Sequence, residues 1–68
     1  MFEKVKDFIE REYKYAQRAN NIGEKTCHMN HAFGALQFVV ELASNEEYEN
    51  YVTLWNEWRE KFEKEIWG

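Results

Sequence analysis

The sequence predicts an all-α protein: an up-down-up bundle of three helices over about residues 2–20, 26–43 and 45–66. Three observations point there. Proline is absent and glycine occurs only three times, so little interrupts a helix. Apolar residues recur every three or four positions in the first and last thirds of the chain. Between them, residues 30–44 read Asn-His-Ala-Phe-Gly-Ala-Leu-Gln-Phe-Val-Val-Glu-Leu-Ala-Ser, with Asn30, Gln37 and Glu41 confined to one polar strip. An apolar arc that wide calls for cover on two sides, and the flanking segments supply it. Short links between helices make antiparallel neighbours. The 68 residues are expected to form a single domain, 1–68, near the lower size limit for an unstapled core.

In the first helix, Phe2, Val5, Ile9, Tyr13 and Ala16 share a face, flanked by Phe8, Tyr15 and Ala19. Lys4, Arg11 and Arg18 recur every seven residues and form a basic stripe elsewhere, read as a solvated flank. Glu12 is out of place, because its angle puts it among Val5, Ile9 and Ala16. The break at residues 20–23 ends in Gly23, which is free to adopt the left-handed backbone that closes a helix. Asn21 followed three residues on by Glu24 offers a capping box, and Thr26 offers a later start. Gly34, inside the second helix, suggests the close approach of a neighbouring backbone.

Ser44 with Glu47 makes a second capping box, and Glu46 and Glu47 favour the positive end of the helix that follows. Along that third helix Tyr48, Tyr51, Val52, Trp55, Trp58, Phe62 and Ile66 fall on one face. Glu46, Glu49, Glu57, Glu60 and Glu63 spread over the other side. Leu54 and Trp67 fall off the apolar face and are expected to be exposed in a monomer.

Charge and composition exclude several functions. The net charge of −4 is concentrated in residues 45–68, which carry seven acidic and three basic side chains. Direct nucleic-acid binding needs a cationic surface and is not expected. No apolar run approaches the roughly 20 residues that span a bilayer, and the opening Met-Phe-Glu-Lys lacks a signal pattern. A single cysteine permits no internal disulfide and suggests a reducing cytoplasm.

One constellation has ligand chemistry. On an ideal helix Glu24, Cys27, His28 and His31 project within an arc of about 100°, and they are residue types that zinc accepts. No second Cys/His group exists, so the expectation is no metal and no cofactor. The more economical reading pairs His31 with Glu12 across an antiparallel hairpin. Catalysis is not expected either. A nucleophilic Cys27 would need a base in reach, an orienting group and a substrate pocket, and a short bundle offers little concavity.

The aromatic row Tyr51, Trp55, Trp58 and Phe62 is core by its spacing, yet the rings exceed what a chain this short buries. Leu54, Trp58, Trp67, Tyr15 and Phe38 are the candidates for an association surface. The expected function is therefore non-catalytic protein–protein contact with self-association, a homodimer by default symmetry. An alternative uses Glu46, Glu49, Glu57, Glu60 and Glu63 as a phosphate-mimicking decoy or inhibitor, of the phage or mobile-element type, that occupies a nucleic-acid-binding site of a host enzyme. A third is metal binding through the Glu24, Cys27, His28 and His31 cluster.

Overall fold

The structure is a computed structural model that describes residues 1–64. It consists of α1 (Phe2–Arg18), α2 (Ile22–Leu42) and α3 (Asn45–Phe62). These helices pack as a three-helix bundle, and α1 and α2 make the most extensive pair. The bundle measures 39 × 18 × 16 Å. Its long axis follows from α2, whose 21 residues rise about 31 Å at 1.5 Å each.

Local chemistry sets the helix ends. Ala19 leaves α1 with extended backbone (φ −63°, ψ 142°), and its N–H bonds back to the Ala16 carbonyl. The Lys25 ammonium donates to the same carbonyl at 3.1 Å, supplying a partner at the end of α1 where helical ones run out. Asn21 starts α2 by accepting the Glu24 N–H on its side chain at 2.9 Å. The second helix thus begins at Ile22, four residues before the expected position. Thr26 is already inside it, bonding back to the Ile22 carbonyl at 2.8 Å. Gly23 is also helical, and no described residue has positive φ. Two extended residues turn the chain, so no left-handed glycine is needed there. Ser44 caps α3 as expected, accepting from the Glu47 N–H and donating to the Glu47 carboxylate at 3.1 Å. Residues 66 and 67, placed on the third helix by the sequence, lie outside the described residues.

The core joins Val5, Ile9, Tyr13 and Ala16 of α1 to Ala32 and Leu36 of α2 and to Tyr51, Leu54, Trp58 and Phe62 of α3. Tyr13 meets Trp58 and Phe62 edge-on at ring separations of 5.1 and 5.2 Å, a geometry that suits the ring quadrupoles. Phe2 against Tyr51 and Phe33 against Trp55 extend this packing.

Three expectations need correction. Leu54 is only 3% exposed, whereas Tyr48 of the expected face is exposed. The contacts of Tyr13 and Phe2 turn α3 toward α1, which carries Leu54 inward and Tyr48 outward. Gly34 faces open space, with nothing within 4 Å of the position a Cβ would take. The apolar arc of α2 is only partly covered. Leu36 is fully buried, but Phe38 and Leu42 are 63% and 69% exposed. At 100° per residue they lie roughly 160° and 120° round the helix from Leu36, where the neighbouring helices cover them only in part.

Candidate functional site

The residue that broke the pattern of α1 is where polar chemistry collects. Glu12 is 8% exposed, the one buried charged residue among those described. Burying a carboxylate is costly unless it is paired, and α2 supplies two partners. His28 Nδ1 lies 2.5 Å from Glu12 Oε2, and His31 Nδ1 lies 3.5 Å from Glu12 Oε1. A carboxylate only accepts, so a ring bonded to it carries its hydrogen on Nδ1. His28 and His31 stand one turn apart, with rings nearly perpendicular at 89° and centroids 5.8 Å apart. Tyr15 lies against the His28 ring at 5.4 Å. From the far side, Cys27 Sγ approaches His31 Nε2 at 3.6 Å.

The four residues grouped from spacing are therefore divided. One donor atom from each of Glu12, His28 and His31 lies within 4.8 Å of the others, a group that could hold a metal ion once drawn together. Glu24 is not in that group: it is exposed, and its backbone serves the start of α2. Cys27 is exposed and touches the group only through the outer nitrogen of His31. Spacing along one helix could not have grouped Glu12 with the histidines. Its polarity on an apolar face was the signal for it.

The apolar surface is centred elsewhere than expected. Of the association candidates, Leu54 and Trp58 belong to the core, and Lys61 Nζ sits 4.5 Å from the Trp58 ring centre. Trp67 lies outside the described residues. Tyr15 and Phe38 are exposed. Phe38 borders a groove of about 190 Å³ shared with Met1, Val39, Leu42, Ala43, Glu47 and Tyr51. Met1 is 80% exposed, so apolar side chains from the start of α1 and the end of α2 meet at one end of the bundle. Tyr51 is buried there, and its hydroxyl has no hydrogen-bond partner among the described residues. Burial, reinforced by the negative charge of Glu47, raises its pKa above 10.0 and keeps the phenol neutral.

Glu46, Glu49, Glu57, Glu60 and Glu63 are all exposed. The face is not uniformly acidic, because Glu57 and Glu60 share a shallow depression with Lys61 and Lys64. No described helix is long and apolar enough to cross a membrane. No family model matches the chain, and no curated protein or solved structure matches it either.

Proposed function

We propose that this protein is a non-catalytic interaction module that pairs with a second copy of itself through the apolar end of the bundle. One observation carries this reading: Met1, Phe38 and Leu42 stand exposed around a common groove. Scattered exposed apolar residues are ordinary, but a cluster of large ones marks an association surface. Two-fold pairing suits it, since each copy offers both the projecting Phe38 ring and the groove that receives one. A lone exposed cysteine supports a reducing, cytoplasmic setting.

Sedimentation equilibrium at micromolar concentration tests the pairing. A dimer is expected, and Phe38→Asp combined with Leu42→Asp should return it to a monomer with unchanged helical circular dichroism. A wild-type chain that stays monomeric across that range defeats the reading. The decoy alternative is less well supported, because Lys61 and Lys64 interrupt the acidic row around Glu57 and Glu60. It predicts strongly salt-dependent binding to cationic partners. An apolar interface instead tolerates salt.

A further inference from the structure

From the convergence of Glu12, His28 and His31 we infer a binding site for a divalent transition-metal ion, zinc by its ligand chemistry. This is independent of the pairing surface. A structural ion pair requires one imidazole for one carboxylate. Here two imidazoles direct the same ring nitrogen, Nδ1, at the two oxygens of one buried carboxylate.

Small side-chain shifts would seat an ion at their centre. Zinc bonds nitrogen and oxygen at about 2.0–2.2 Å, so tetrahedral ligands stand about 3.4 Å apart. His31 Nδ1 lies 3.5 Å from Oε1 and His28 Nδ1 2.5 Å from Oε2, with the donor atoms within 4.8 Å of one another, so seating an ion needs shifts of about an ångström. Side-chain rotation supplies that much, because both imidazoles are partly exposed. The backbone need not move, since the two histidines are held three residues apart on one helix and Glu12 faces them from another.

The surroundings suit a bound ion. A divalent charge offsets the buried carboxylate and takes two neutral imidazoles as donors, each ring then carrying its hydrogen on Nε2 in place of Nδ1. Metal-bound imidazoles usually have a second partner that fixes the ring, and Cys27 Sγ stands at the outer nitrogen of His31. That role places Cys27 behind a ligand, not on the ion. Three protein donors leave a fourth position open, on the side where His31 meets solvent.

The test uses the full chain without a histidine tag, stripped by chelator and titrated with zinc chloride against a chromogenic competitor. One ion per chain should bind, and zinc should raise the melting temperature. Glu12→Gln and His28→Gln should each weaken binding by about tenfold or more, since even outer-shell changes cost that much at metal sites. Cys27→Ala, which removes only the group behind His31, should weaken binding by about tenfold while one ion per chain still binds, whereas Glu24→Gln should leave binding unchanged. Cobalt should give visible ligand-field bands without a sulfur charge-transfer band. If Glu12→Gln fails to fold, His31→Gln, altered at a half-exposed ring, provides the same comparison. The site is overturned if the folded wild type takes up no zinc at micromolar concentration. It is equally overturned if loss of Glu12 and His28 leaves affinity unchanged, or if loss of Cys27 abolishes it.

Discussion

A buried hydroxyl with nothing to bond costs about 1–3 kcal/mol, and Tyr51 holds one beneath the apolar groove. Tyr51→Phe should therefore leave stability at neutral pH unchanged or raise it by up to about 1 kcal/mol, measured by urea unfolding. A loss larger than that would reveal a partner for the hydroxyl. The same residue sets an alkaline limit. Its folded pKa lies above the unfolded value of 10.0, so the unfolded chain releases this proton first. The contribution is intact below pH 10.0 and drains away as pH rises toward the folded value. Unfolding curves across that window should lose less stability in Tyr51→Phe than in wild type. Single residues were unevenly legible. Glu12 announced itself by polarity on an apolar face, whereas its main partner depended on where the hairpin turns. Counting outward from Ile22 matches Glu12 with His31. The chain in fact turns about Asn20, eight residues from both Glu12 and His28, and His28 makes the shorter contact. The Tyr51 hydroxyl left no trace in the sequence, because satisfaction depends on neighbours that only packing defines.

For the individual helices, the capping residues were the most readable feature. Ser44 and Asn21 each accept an orphan N–H in the way their side chains favour, and α3 began where expected. Angular position read less well. The face of α3 was centred on its aromatic residues, but helix–helix contact turned it toward Leu54. Gly34 is ambiguous for a related reason: a glycine in a helix signals either close approach or nothing, and spacing does not separate the two. Since its surroundings are open, Gly34→Ala should stabilise the protein by about 0.8–1.0 kcal/mol, the difference in helix propensity. A destabilised variant would mean that something occupies that face. The uneven cover of α2 is checked in the same way. Leu36→Ala should cost about 2–5 kcal/mol, whereas Phe38→Ala, measured below the concentration at which copies pair, should fall within about 0.5 kcal/mol of wild type.

The whole molecule is a tight α1–α2 hairpin with α3 laid along it. That topology was legible because two short breaks leave three long helices little choice but to alternate in direction. The division of packing between helices was not, since it depends on side-chain contacts between segments remote in sequence. The hairpin closes over a three-residue link and its contacts are local, so it should form early and open last. Native-state hydrogen exchange should accordingly find smaller opening free energies for the amides of α3 than for those of α1 and α2. Equal protection in all three would show the bundle to be one cooperative unit. The placement of the aromatic residues makes this division visible without isotopes. Every indole of the chain follows Ser44, with Trp55 and Trp58 on α3, while both imidazoles belong to α2. Ultraviolet emission therefore watches one part of the rod and histidine ring resonances watch the other. A single denaturant series followed by both would show whether they come apart together.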